Sequence, residues 1–312
     1  ALQVKYTVLP QCLFFGLWAL WGQFTRGMPP ARLTLLGAGF GVLGVLPTAL
    51  VGAGYALAGH WESFAWANFL SFFERLPASG GRLHGQILML LLPLLGLALL
   101  GLNAARRGPS SELRAYVFIA LWLAAALATV FLPSTVYGYY LAALVPACVL
   151  LSLPLFARAE KGGVNIGLLI PAGLYLGLLP SNYDLAQNSR AAIERLASAI
   201  APHVDGRDRC LFVFDGPTAL YRLSASCLPT RFIYPDHLNN ALERNALGVP
   251  QEDEVARILA ARPPVIVTAD TPLTPQNAKA LSLVNAAIAR DYRPLAQEVL
   301  HKRVIRAFAR RD

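Results

Sequence analysis

Aspartate is missing from residues 1–183, and residues 1–180 contain only four glutamates: Glu62, Glu74, Glu112 and Glu160. None of these acids lies inside an apolar run, which excludes the buried carboxylate that an ion-coupled carrier usually needs. No GxGxxG and no P-loop occurs anywhere in the chain, so nucleotide binding lacks the glycine-lined backbone cradle. Cysteine is sparse: four residues, at no metal-ligand spacing. Basic residues are thin in the first part too, ten of the 27 against those four glutamates, a balance of +6 there and +3 in the remainder. The net charge of +9 is therefore mostly a topology signal and a contact for anionic lipid. The later residues show no interleaving of aromatic and basic side chains of the kind that stacks nucleic-acid bases, so no nucleic-acid partner is expected.

Residues 1–180 hold six long apolar runs, at 6–24, 33–58, 85–103, 115–132, 139–157 and 164–180. Each approaches the roughly 20 residues that span a bilayer as a helix. They show no period-two alternation and are too long for membrane strands. The fold class expected is a polytopic α-helical membrane protein with about six transmembrane helices, followed by a small α/β soluble domain. The boundaries read as 1–180 for the helical region, with an outer amphipathic loop at 60–84, and 181–312 for the soluble domain.

Orientation follows from lysine and arginine in the short loops. Arg26, Arg32, Arg106, Arg107, Arg114, Arg158 and Lys161 fall on one side, and only Lys5, Arg75 and Arg82 on the other. The first set is expected in the cytoplasm, which puts the 60–84 loop, the 133–138 loop and the tail outside. Residues 1–30 do not fit a secretory signal peptide, and the chain reads as one lacking helices upstream of Ala1.

The four cysteines divide into two classes. Cys12 and Cys148 sit in apolar runs as small packing residues, whereas Cys210 and Cys227 belong to a tail placed in an oxidising compartment, where they are either bridged or two buried free thiols.

In the tail, an amphipathic helix is expected at 186–201, strands at 209–215, 230–235 and 263–270, and a helical turn at 218–223. Further helices are expected at 236–244, 251–262 and about 274–290, with a closing hairpin joined through His301 and Lys302. Alternating strands and helices argue for a mainly parallel sheet. Asp215 and Asp270 each follow an apolar strand, where parallel sheets present ligand sites; a cap or turn role is the simpler reading of each.

The outer loop is unusually aromatic, with Trp61, Phe64, Trp66, Phe69, Phe72 and Phe73 in one segment. At helical spacing Trp61, Phe64, Ala65, Phe69 and Phe72 share a face, as in a helix lying among headgroups. Its far end carries Glu74, Arg75, Arg82 and His84. Arginine's planar fork suits a lipid phosphate, and Lys5 at the same level adds a point charge. The plainer reading is that such cations snorkel to ordinary headgroups and that Tyr137, Tyr139 and Tyr140 form an aromatic belt. Prolines within the apolar runs imply kinked helices.

ALQVKYTVLP at the start, FFERLPASGGRLHG in the outer loop, YGYYLAALVPACVLLSLPL and the tail's ALYRLSASCLPTRFIYP together resemble the bacterial membrane glycosyltransferases of GT-C fold, of the protein-mannosyltransferase and aminoarabinose-transferase type. The likeness spans most of the chain. It implies an enzyme of the bacterial inner membrane, its tail periplasmic, that moves a sugar from a polyprenyl-phosphate carrier to a lipid, glycan or protein acceptor with inversion at the anomeric carbon. By that likeness Lys5 and Arg75 or Arg82 contact the carrier phosphate, and His84, Tyr139 and Tyr140 match substrate-site positions. No cofactor is firmly implied; a divalent metal could assist in some relatives, and no ligand set for one stands here. The family's catalytic aspartate lies in a first outer loop with no counterpart in this sequence, so residues 1–312 alone are expected to lack transferase activity. Two rival readings are a non-catalytic membrane scaffold whose tail docks a protein or glycan, and a transporter for a polyprenyl-linked sugar, the latter disfavoured by the lack of internal symmetry.

Overall fold

The computed structural model describes residues 6–76, 81–108, 110–132, 138–157 and 186–311. The chain is largely helical with one small sheet, and it divides into two compact units. One joins Ala1–Ala65 to Pro77–Ile166; the other joins Trp66–Leu76 to Gly167–Asp312. Lys5, residues 133–137 and the sixth expected span at 164–180 lie outside the described residues.

In the first unit α1 runs Leu9–Phe24, α2 Pro30–Leu57 and α3 Trp61–Ala65. The chain continues through a π-turn at Trp66–Leu70 and α4, Ser71–Glu74, both in the other unit, and returns as α5, Gly81–Ala105, α6, Ser110–Phe131, and α7, Val145–Ala157. Among the described residues two helices, Pro30–Leu57 and Glu112–Phe131, are long and apolar enough to cross a membrane by length and composition; Leu91–Ala105 and Val145–Leu155 are shorter apolar helices. The run expected at 139–157 is shortened because Gly138–Ala143 forms a 3-10 turn and Pro146 stands in the first turn of α7, where proline is tolerated.

A close backbone approach ties α5 to α7: a Cβ at Gly101 would lie 2.0 Å from the Leu151 carbonyl oxygen, so only glycine permits this contact. Around it Ala98, Leu123, Ala126, Leu144, Ala147 and Leu151 are buried together. Gln11 links α1 to α6, accepting from Trp122 Nε1 at 2.9 Å and donating to Thr129 Oγ1 at 3.3 Å.

The second unit is an α/β layer structure. Helix α8 covers residues 186–200. After it come β1, Phe212–Val213, α9, Ala219–Leu223, α10, Pro235–Asn239, α11, Gln251–Ala260, and β2, Val265–Ala269. Helix α12, Ala278–Asp291, and the hairpin strands β3, Tyr292–Leu300, and β4, Arg303–Arg310, complete the unit. Strand order is β1-β2-β4-β3. Alternation sorts the core: Val213, Val265 and Val267 pack with Leu196 and Ile200 of α8, while Phe212 and Ile266 pack with Ile258 of α11 and Val284 of α12.

Two expectations are corrected here. The sheet is not mainly parallel: only β1 pairs parallel with β2, whereas β4 runs antiparallel to both β2 and β3. The hairpin itself forms as expected, and His301 and Lys302, at φ 47° and 71°, supply the two left-handed residues of a type I′ turn. What local pattern does not encode is that β4 pairs with β2. Residues 230–235 form no strand. Thr230 Oγ1 accepts from the Phe232 amide at 3.1 Å and donates to Glu254, so a side chain takes up an amide a ladder would need, and Pro235 then opens α10. Cys210 and Cys227 are joined by a disulfide, at a Cα separation of 4.7 Å.

Candidate functional site

The segment between α2 and α5 is not one helix. Its three pieces, α3, the π-turn and α4, differ in register, because a π-turn inserts a residue into the helical period. Phe64 of α3 packs near Gly52 and Tyr55 of α2. From Trp66 onward the segment belongs to the α/β unit. There the Trp66 indole donates from Nε1 to the Ala246 carbonyl at 2.8 Å, and the Leu76 amide donates to the Leu242 carbonyl at 2.9 Å. Gly248 sits at φ +72°, a conformation that favours glycine, and a Cβ there would stand 3.3 Å from the indole, a tight contact. Arg75 Nε lies 3.5 Å from Glu243 Oε1, with side chains 39% and 13% exposed.

That docking edge adjoins a polar cluster. Asn239 on α10 is 2% exposed; its Nδ2 donates to the Phe214 carbonyl at 2.8 Å and its own carbonyl accepts from the Asn277 amide at 2.7 Å. Gln251, at the start of α11, donates to the carbonyls of His237 (2.7 Å) and Asn240 (2.9 Å) and accepts from Asn277 Nδ2 (2.7 Å). These bonds hold α10, the start of α11 and the entry to α12 together in a shared network. Four buried polar atoms at this edge make no hydrogen bond among the described residues: Arg75 Nε, His237 Nδ1, Asn239 Oδ1 and Gln276 Nε2. Orphaned buried polar atoms are rare in folded proteins, and each calls for a partner such as water, an ion or a ligand group.

The titrating groups are shifted in opposite senses. Burial pushes the His237 imidazole below its ordinary value, the Arg75 cation adds to that, and Asp236 opposes it. Glu243 is raised, first by burial and then by Asp236, with Arg75 pulling it back. Asp215, after β1, is raised by burial and by Asp236 while Arg303 counters; Arg303 Nη2 donates to its Oδ1 at 2.8 Å. Asp236 acts on His237, Glu243 and Asp215 alike, and Arg75 acts on the first two, so these groups belong to one electrostatic cluster. Asp270 has the plainer role: its Oδ1 accepts from the Val304 amide at 2.9 Å, bracing the start of β4. Among the described residues no group of three or more His, Cys, Asp and Glu could hold a metal ion.

Of the residues singled out from sequence, Arg75 is brought to Glu243 in the α/β unit. Tyr139 and Tyr140 lie in the helical unit on the Gly138–Ala143 turn, their rings edge to face at 4.7 Å. Lys5 lies outside the described residues, and Arg82 and His84 fall in the first turn of α5, where only the backbone is described. Sequence reasoning passed over His237, Glu243, Gln251 and Asn277. One signal was present: the run Asp236, His237, Asn239, Asn240 and Glu243 crowds polar groups into one short helical segment. Comparison with family models, curated proteins and solved structures found no match to this chain.

Proposed function

We propose that this protein is a membrane glycosyltransferase that moves a sugar from a polyprenyl-phosphate carrier to an acceptor on the periplasmic face of a bacterial inner membrane. The membrane part of the reading, with its six spans, is supported by apolar side chains turned outward: in the most apolar stretch of α2 only 6% is buried, and Leu35, Leu43 and Leu57 are 75%, 70% and 92% exposed. Water does not tolerate so large a contiguous apolar surface. A periplasmic tail is supported by the loop-charge asymmetry and by the Cys210–Cys227 disulfide, which suits an oxidising compartment.

The observation that carries the reading is the outer segment. The stretch in which the family likeness singled out Arg75 folds with the α/β tail, where Arg75 lies beside Glu243 and its charge acts on His237. Sugar transfer needs cations that stabilise the departing lipid phosphate and a base that deprotonates the acceptor. In this reading Lys5, Arg82 and Arg75 supply the first, and Arg75 contacts phosphate only when its pair with Glu243 opens. Residues 1–183 hold no aspartate, so the base comes from elsewhere in the protein. The tail then caps the site and helps select the acceptor.

The test is carrier turnover by the intact protein in membranes, with radiolabelled polyprenyl-phosphate sugars, beside an Arg75→Ala, Arg82→Ala double variant. Sugar release that the double variant loses is the expected result. The Arg75–Glu243 pair favours a second reading, a non-catalytic scaffold in which Arg75 fastens the outer segment to the tail. Carrier binding without turnover across a broad donor panel would select that reading or a transporter.

A further inference from the structure

We propose that the helical unit binds an anionic glycerophospholipid in the cytoplasmic leaflet, one acyl chain lying in the groove between α1, α2 and α6 and the phosphate held by Arg26 and Arg32. The proposal rests on the membrane reading above but not on sugar transfer. The groove has a volume of about 670 Å³ and is lined by Phe14, Leu17, Trp18, Trp21, Phe24 and Leu33, with Leu20 and Leu121 completing it. Apart from the indole N–H groups of Trp18 and Trp21 these side chains are hydrocarbon, so the groove suits an apolar tail and offers a free headgroup little.

Length and charge select the occupant. From Phe14 to Phe24 the groove follows α1 for ten residues, a rise of roughly 15 Å, and one leaflet of a hydrocarbon core is about 15 Å thick. At one end the chain turns through Thr25–Pro29 into α2. Arg26 comes two residues after the lining Phe24, and Arg32 immediately precedes the lining Leu33. Both arginines are exposed, and neither has an ion pair or side-chain hydrogen bond among the described residues. Residues 25–33 contain no acid, and Glu112 in the first turn of α6 is exposed and forms no ion pair with either arginine. A groove one acyl chain long that ends at two uncompensated guanidinium groups matches a lipid whose tail is apolar and whose headgroup is an anion. Trp21, 60% exposed, sits one turn from that end, where interfacial tryptophan collects.

The experiment is native mass spectrometry of the intact protein in mild detergent, titrated with phosphatidylglycerol or with phosphatidylcholine of identical chains. Three proteins are compared: wild type, Arg26→Ala with Arg32→Ala, and Leu17→Trp, which fills the groove at a position already 65% exposed. The expected result is a preference for phosphatidylglycerol of roughly tenfold or more, abolished in the arginine variant, with both lipids weakened alike by Leu17→Trp. Glycerol phosphate without acyl chains should not compete. Equal binding of the two lipids, a preference that survives loss of both arginines, competition by the free headgroup, or no effect of Leu17→Trp because a second copy or another helix fills the groove would each overturn the proposal. Membrane flotation of the same variants separates the two levels: protein absent from the membrane fraction ends the membrane reading itself, whereas membrane-embedded protein without lipid preference ends only this site. Circular dichroism and a monodisperse elution profile show that each variant is folded.

Discussion

The two units use the same aliphatic residues in opposite ways. In α2 leucines and valines cover the outside, and Leu43 is largely exposed; in α11 the apolar positions turn inward and Ile258 is 1% exposed. Helix α11 keeps its acids, Glu252, Asp253 and Glu254, in the first turn, where the helix dipole favours them. Helix α2 has no acidic residue at all. The difference teaches that hydrophobicity alone does not say where a side chain points. Amphipathic period does: an element apolar all round is built for an apolar surround, and one with a single apolar stripe is built for a core.

The largest effect should come from testing that contrast directly. Ile258→Ala in the α/β core should cost about 2–5 kcal/mol, read as lost hydrogen-exchange protection of the β2 amides in the intact protein. Leu43→Ala on the outside of α2 should leave the detergent melting curve nearly unchanged, and a comparable loss there would mean that α2 packs against protein. Next in size, Cys210→Ser with Cys227→Ser should destabilise the tail by roughly 3 kcal/mol while the helical unit melts as before, which separates an oxidised unit from one that needs no cross-link. Arg75→Ala should cost on the order of 1 kcal/mol or less, because its pair with Glu243 is partly exposed and lacks a hydrogen bond; a drop in protection confined to the segment 66–76 and residues 242–248 would place the loss.

The smallest effect is a pH slope with two opposing parts. His237 titrates lower in the folded tail than when unfolded, so the stability it contributes is full above the ordinary histidine value of about 6.5 and is lost as pH falls below it. Glu243 is shifted up on folding, so its contribution is full below the ordinary glutamate value of about 4.3 and is lost as pH rises through the folded value. Denaturant midpoints measured between these limits should fall with acidification less steeply than His237 alone would give. Glu243→Gln should steepen the slope, and His237→Gln should reverse it.

Much of the tail could be read in advance, because α8, β2 and the β3–β4 hairpin carry strong local periods and the His301–Lys302 turn lies between two apolar runs. The pairing of β4 with β2 could not be read, since nothing in RVIRAFA says that its second edge will border VIVTA. The 230–235 stretch has strand composition, yet Thr230 claims the Phe232 amide locally. At the site, the outer-loop arginine was visible but its partner was not: Glu243 is 168 positions away from Arg75, and a helical wheel drawn across residues 61–72 fails once a π-turn shifts the register.

The α/β unit is discontinuous in the chain, and this imposes an order on its manufacture. Trp66 must find the carbonyl of Ala246, 180 residues later, so at ribosomal speeds of about 5–20 residues per second the indole waits roughly 10–35 s for its acceptor to be made. Until then the segment 66–76 is a completed stretch without its binding surface. The tail is thus synthesised after α5 and finishes a structure begun before α5 exists.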